Sequence, residues 1–229
     1  HNRSYATLNI VDMTIDVINN LDVFLETIPS TVELVAVSKT KSNDMIMEAY
    51  QAGQRHFGEN KIQEMTTKWE NLPKDIQWHM IGHVQTNKVK YMAPYVSLIH
   101  GVDREKLLNE INKQAFKNNR IIDCLLQVFI ANENTKFGLF PNEILPLIEK
   151  SLSLKNIRVA GLMGMASFTQ DSEQIESEFK ILKELFFSAQ KKYNQINILS
   201  MGMSNDYQIA INQESNMIRI GSKIFGSRD

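Results

Sequence analysis

Along the chain, short apolar runs alternate with longer stretches in which apolar residues recur every three or four positions. The short runs read as strands over 33–37, 55–57, 77–81, 97–100, 123–130, 158–163, 197–200 and 217–220. The longer stretches read as helices over 44–51, 61–69, 87–92, 104–118, 142–151, 172–192 and 206–212. The clearest of these, 172–192, places Ile175, Phe179, Leu182, Leu185 and Phe186 on one side. A further helix over about 13–27 precedes the first strand. Strand and helix in strict alternation is the pattern of parallel β/α architecture, and eight strands close a barrel. The expected fold class is therefore α/β, a (β/α)8 TIM barrel with an extra N-terminal helix. An open doubly wound sheet alternates in the same way, but it calls for a Gly-x-Gly-x-x-Gly turn after the first strand. Ser38-Lys39-Thr40-Lys41 stands there instead.

Length agrees with one barrel, since the chain has 229 residues and such a fold uses roughly 250. No Gly/Ser linker or low-complexity tract marks a boundary, so a single domain over 13–229 is expected. Residues 1–12 are poorly periodic and are expected to be an extension or an expression remnant. The 25 basic and 26 acidic side chains are interleaved and leave a net charge of −1. Such a chain has no long-range field to gather nucleic acid or an anionic membrane, which favours a small-molecule partner. Cys124 is the single cysteine and lies in an apolar run, where it reads as a buried filler in a reducing compartment. With no run of about 20 apolar residues and no signal-peptide pattern at its start, the chain is expected in the cytoplasm.

In a barrel, functional groups gather at the C-terminal ends of the strands, and the unusual polar residues fall there. Lys39 follows Leu34-Val35-Ala36-Val37. Held against apolar walls at the mouth, its amine loses solvation and becomes a nucleophile toward an aldehyde; alternatively, it snorkels into water. Ser200-Met201-Gly202-Met203-Ser204 follows the seventh strand, and Gly221-Ser222 follows the eighth. Small residues at such turns let backbone N–H groups converge on a phosphate, although ordinary capping by Ser204 explains part of the pattern. Arg219 sits inside the apolar run Met217-Ile218-Arg219-Ile220 and needs an acceptor, either a pyridine nitrogen or a barrel acid. An arginine partner keeps a pyridine nitrogen unprotonated and limits its use as an electron sink. Asn60 either caps the following helix or reaches a ring substituent. His79 and His83 are four apart but cross from strand to loop, so His79 reads as a hydrogen-bonded core or pocket residue rather than a zinc ligand. Met163, Met165, Met201 and Met203 flank the same mouth and either wall a ring or fill the core. Lys136, after the fifth strand, is the rival lysine.

These residues fall into motifs with a family resemblance. Val35-Ala36-Val37-Ser38-Lys39-Thr40-Lys41, Phe57-Gly58-Glu59-Asn60-Lys61, Trp78-His79-Met80-Ile81-Gly82-His83, Ser200-Met201-Gly202-Met203-Ser204-Asn205-Asp206 and Arg219-Ile220-Gly221-Ser222 resemble the YggS/PROSC family of pyridoxal phosphate homeostasis proteins. The resemblance implies a barrel like the N-terminal domain of alanine racemase, with pyridoxal 5'-phosphate (PLP) held as a Schiff base on Lys39. It further implies phosphate contacts at Ser204, Gly221 and Ser222, and Arg219 at the ring nitrogen. The expected cofactor-binding set is Lys39, Asn60, His79, Met203, Ser204, Arg219, Gly221 and Ser222, with no catalytic residue and no metal ligand. Ser222 stands where threonine is common and Lys223 where a small residue is usual, which bears on phosphate affinity.

The expected function is intracellular PLP homeostasis, the buffering or delivery of PLP without catalytic turnover. The expected partners are PLP itself and apo-enzymes that receive it, and the expected state is a monomer. A PLP-dependent amino-acid racemase is the alternative. That chemistry needs a second acid/base group on the opposite face of the substrate carbon, which the racemase draws from a further domain that 229 residues leave no room for. A phosphate-sugar enzyme on the same fold is a third reading, in which Lys39 meets a different carbonyl.

Overall fold

The computed structural model describes residues 15–133 and 137–227, so the segment 1–12 and the rival Lys136 lie outside the described residues. The strands are β1 (Glu33–Val37), β2 (His56–Glu59), β3 (Gln77–Met80), β4 (Leu98–Val102), β5 (Ile122–Gln127), β6 (Ile157–Met163), β7 (Ile198–Ser200) and β8 (Met217–Ile220). They pair in parallel in chain order and close on themselves. The closing seam sets Val35 of β1 beside Arg219 of β8 and Ala36 beside Ile220, which excludes the open sheet.

Nine helices of the described residues cover or follow the strands: α1 (Val17–Glu26), α2 (Asn43–Gln51), α3 (Ile62–Asn71), α4 (Val89–Met92), α5 (Glu105–Lys117), α6 (Pro141–Ser151), α7 (Ser172–Lys192), α8 (Tyr207–Asn212) and α9 (Ser222–Phe225). The extra helix α1 buries Val17, Leu21 and Phe24, one turn apart, and Asn20 Nδ2 donates to Ile224 O of α9 at 3.1 Å.

Side chains alternate across each strand, and the two faces have different contents. Leu34 and Ala36, Cys124 and Leu126, and Val159 and Leu162 join the large apolar layer between strands and helices. The inward set is smaller: Val35, Leu98, Leu125, Ala160, Met163 and Met217. The interior also buries His79, His100, Ser200 and Arg219, polar residues where barrels ordinarily stack branched apolar side chains.

Several strand boundaries differ from the sequence expectation by one to three residues, β4 for example running to Val102 rather than to 100, and two of the differences have a physical reason. β2 runs on to Glu59 because that carboxylate is neutralised inside the fold, a tertiary fact that local propensity does not carry. β5 stops at Gln127 rather than at 130, because Phe129 N donates to Leu139 O and Leu139 N to Gln127 O, both at 2.8 Å, so a returning loop takes over the pairing.

Candidate functional site

A cavity of about 920 Å³ opens at the C-terminal ends of β1, β6, β7 and β8. Lys39, Met203, Ser204, Arg219, Gly221 and Ser222 all line it, together with Val37, Met165, Ser167, Phe168, Gly202 and Asp206. Six of the eight residues singled out from sequence thus meet in one hollow. Asn60 and His79 are not among its lining. Asn60 is half-buried and does not cap α3, whose N-cap is Lys61. Of the four methionines, Met165 and Met203 face the cavity, whereas Met163 and Met201 are fully buried in the wall.

The segment that carries Lys39 is clamped from beneath. Lys68 of α3 is buried and donates to Ser38 O at 2.7 Å, to Glu59 Oε1 and Oε2 at 3.0 Å and to Glu64 Oε2 at 2.7 Å. Ser38 Oγ donates to Glu59 Oε2 as well. Burial pushes the Glu59 carboxyl up to about 7, while Lys68 and the Ser38 hydroxyl pull in the other direction. Thr40 has a left-handed φ of +65°, a conformation that a β-branched residue adopts only under constraint, at a cost on the order of 1–3 kcal/mol. Its N–H donates to Glu64 Oε2 at 2.7 Å, so the same ion cluster holds the strained residue next to Lys39.

On the opposite wall, Gly202 adopts φ +108°, and a Cβ there would lie 2.8 Å from Ala210 Cβ and 3.1 Å from Tyr207 Cα. Only glycine fits this turn without strain. It delivers Met203 N to Asp206 Oδ1 at 2.7 Å, and leaves the N–H groups of Ser204 and Asn205 without a hydrogen bond among the described residues. Gly221 packs against Val37 O, where an added Cβ would come within 3.3 Å, and Ser222 opens α9 beside it. Two loops from adjacent strands therefore bring backbone donors to one side of the hollow, an arrangement suited to a phosphate.

Arg219 is 2% exposed. It donates through Nη2 to Gly164 O at 3.1 Å, and its buried Nε has no partner. Burial draws the guanidinium down to about 10, with Asp206 opposing, so it remains a cation at neutral pH. An under-bonded buried guanidinium is costly, and a ring acceptor in the cavity relieves it. The donor set fits the group implied by the sequence resemblance: an amine at the rim for an aldehyde, a guanidinium for a ring nitrogen and loop amides for a phosphate.

Two features escaped sequence reasoning. One is the Ser38–Glu59–Glu64–Lys68 cluster, whose visible signal was a glutamate ending an apolar strand and a lysine four residues after a glutamate. The other is a histidine chain inside the barrel. His56 Nδ1 meets His79 Nε2, His79 Nδ1 meets His100 Nε2, and His100 Nδ1 meets Ser200 Oγ, each at 2.9 Å. His83, the other half of the four-residue spacing, lies apart, stacked on Phe137 and 3.4 Å from Asp103.

Comparison with known proteins gives a consistent picture. The family model of the alanine racemase N-terminal domain matches residues 16–229. A pyridoxal phosphate homeostasis protein of Aquifex aeolicus is 42% identical over 198 residues, covering 86% of this chain and 87% of that protein. One from Schizosaccharomyces pombe is 40% identical over 198 residues, covering 85% and 84%. The structure of PipY from Synechococcus elongatus with PLP bound superposes with a TM-score of 0.84 at 31% identity, covering 92% of this chain and all of that one. Alanine racemase of Clostridium difficile shares the fold alone, at 13% identity and a TM-score of 0.76, with 56% of its length covered.

Proposed function

The chain belongs to the alanine racemase N-terminal-domain family, and on that premise we propose that it is a pyridoxal phosphate homeostasis protein holding PLP in the cavity at the mouth of its barrel. The observation that carries the reading is the meeting, in one hollow, of Lys39 with Arg219 and the Gly202 and Gly221 loops. PLP, when bound, supplies an aldehyde that bonds covalently to a primary amine with loss of water.

The chain's own residues do the rest. Lys39 offers its Nζ to that carbon from a backbone fixed by the Lys68 cluster. Arg219 donates to the ring nitrogen and, staying protonated, yields it no proton. Ser204, Gly221 and Ser222 hold the phosphate, and Met165 and Met203 shield the ring. Asn60 and His79 do not line the cavity and have no part in this reading.

Carriage without turnover is the reading we favour over racemisation. Support comes from the names of the relatives, which are homeostasis proteins. A cytoplasmic monomer that hands PLP to apo-enzymes completes the proposal; no helix of the described residues is long and apolar enough to cross a membrane.

Borohydride reduction of the PLP-loaded protein, followed by peptide mapping, tests the site. The adduct is expected on Lys39, and an adduct elsewhere, or none, overturns the assignment. Incubation with L-alanine is expected to give no D-alanine, whereas steady turnover favours the racemase. A cofactor-free aminotransferase mixed with loaded protein and a PLP trap is expected to regain activity.

A further inference from the structure

The barrel interior holds a chain of hydrogen-bonding groups that cofactor carriage does not use. It starts at the N-terminal mouth, where Glu33 opens β1 and His56 opens β2, with their side chains 47% and 34% exposed. It passes through His79 and His100, both buried in mid-barrel, and ends at fully buried Ser200, the last residue of β7 and two residues before cavity-lining Gly202. The four links measure 2.8, 2.9, 2.9 and 2.9 Å.

The first link fixes the direction of all the others. A carboxylate only accepts, so His56 Nε2 carries a proton toward Glu33. Neutral His56 then has a bare Nδ1, which accepts from His79 Nε2–H. His79 Nδ1 in turn accepts from His100 Nε2–H, and His100 Nδ1 from the Ser200 hydroxyl. Every donor points to the outer mouth. Burial holds the His79 ring down to about 3 and the His100 ring well below its usual range, aided there by Arg219, so neither stores a charge.

A second proton on His56 reverses this order. His56 then donates through Nδ1 as well as Nε2, so His79 must accept at Nε2 and carry its proton on Nδ1, and His100 must follow. Ser200 becomes an acceptor from His100, and its own proton leaves that bond. The balance is one proton. A hydronium ion on the cavity side supplies it to Ser200 as the Ser200 proton passes to His100 Nδ1; the Nε2 protons of His100 and His79 then move on to His79 Nδ1 and His56 Nδ1. No buried ring ends charged.

We infer that Glu33, His56, His79, His100 and Ser200 form a two-state proton relay through the barrel, whose polarity is set by the charge on His56 at the N-terminal mouth and read at Ser200 beneath the cavity. A purely structural polar network needs only satisfied groups, and a fixed donor such as Asn or Gln at any link would serve. Here every intermediate link is an imidazole, able to exchange donor and acceptor nitrogens, and the chain touches solvent at one end. The groups facing His56 agree with its role as the gate. Glu33 comes from β1 and His79 from β3, and across the mouth Asp123 of β5 is already paired to Arg158 of β6 at 2.8 Å. Neighbouring Arg55 is paired to Asp75 at 3.2 Å. Glu33 is thus the carboxylate left to His56, and the hydrogen bond between them holds its pKa below the usual range.

Nitrogen-15 NMR of histidine-labelled, cofactor-free full-length protein tests the relay, since ring nitrogen shifts distinguish the two tautomers. Above the pH at which His56 takes its second proton, His79 and His100 are expected as Nε2–H tautomers; below it, both are expected as Nδ1–H, in the same step. In Glu33→Gln, whose amide can either accept or donate, both tautomers are expected to coexist at high pH. A single unchanged tautomer through the His56 step, or uncoupled changes in the two rings, overturns the relay. The relay does not depend on the cofactor reading. Failure of the borohydride adduct sinks that reading and leaves the NMR result standing, whereas a correct adduct with static tautomers sinks only the relay.

Discussion

Replacing Lys68 by methionine tests whether the platform under Lys39 is held by buried charge. The ammonium gives its protons to the Ser38 carbonyl, Glu59 and Glu64, and its side chain is 7% exposed against 0% for Glu59. Methionine keeps most of the stem and removes the cation, so Glu59 is left with the Ser38 hydroxyl and the neighbouring Glu64 carboxylate. Removing one partner of a buried pair costs about 3–5 kcal/mol, a large share of a net stability of roughly 5–15 kcal/mol. Glu59 already stands at about 7 with Lys68 in place, so the variant's carboxyl takes up a proton at neutral pH, which holds the loss toward the lower end, about 3 kcal/mol. Urea unfolding of the cofactor-free protein at pH 7 should show a lower midpoint with an unchanged slope. Pairing Lys68→Met with Glu59→Leu removes the stranded carboxylate and should recover stability to within about 1–2 kcal/mol of the parent, the difference being the Ser38 carbonyl, which loses the Lys68 donor, and the Ser38 hydroxyl, which keeps only a long bond to Gly58 O at 3.4 Å. A loss below about 1 kcal/mol in the single variant, or a double variant no more stable than it, refutes the reasoning.

Other outcomes follow from the same geometry. Gly202→Ala should weaken PLP retention and destabilise the fold by about 1–3 kcal/mol, seen in dialysis and urea titration, because a left-handed turn would then carry a Cβ against Ala210. Arg219→Met should weaken retention about 10- to 100-fold yet leave the cofactor-free protein at least as stable, since an under-bonded buried cation is removed; a large loss of stability would count against the proposed role. Acid should destabilise the protein with a definite sign. His79 and His100 have folded pKa values below their unfolded ones, so the unfolded chain takes up two protons below about pH 6.5 that the fold refuses, whereas Glu59, raised to about 7, is one proton that the fold takes up early. Between about pH 4.5 and 6.5 these three groups leave the unfolded state one proton ahead, and stability should rise by about 1.4 kcal/mol per pH unit. Cys124, fully buried and with its thiol pushed up by burial, should resist iodoacetamide until the protein unfolds; rapid labelling of the native protein would contradict its placement.

The amino-acid sequence by itself determined the alternation of eight strands with helices, because apolar periodicity is a local property that survives without a partner. It also determined the residues at the strand ends. Lys39 after an apolar run, the Gly-Ser turns after the seventh and eighth strands and Arg219 inside an apolar strand are each anomalous where they stand, and anomaly is readable. Tertiary structure decided which anomalies meet. Asn60 and His79 sit in motifs as distinctive as those of Ser204 and Gly221, yet strand register and the direction of their side chains place them off the cavity wall. The Lys68 cluster and the histidine chain could not be assembled from the sequence for a related reason. Each joins residues from three or more elements, and a buried charge or imidazole looks like any surface residue until the fold supplies the partner that makes its burial tolerable.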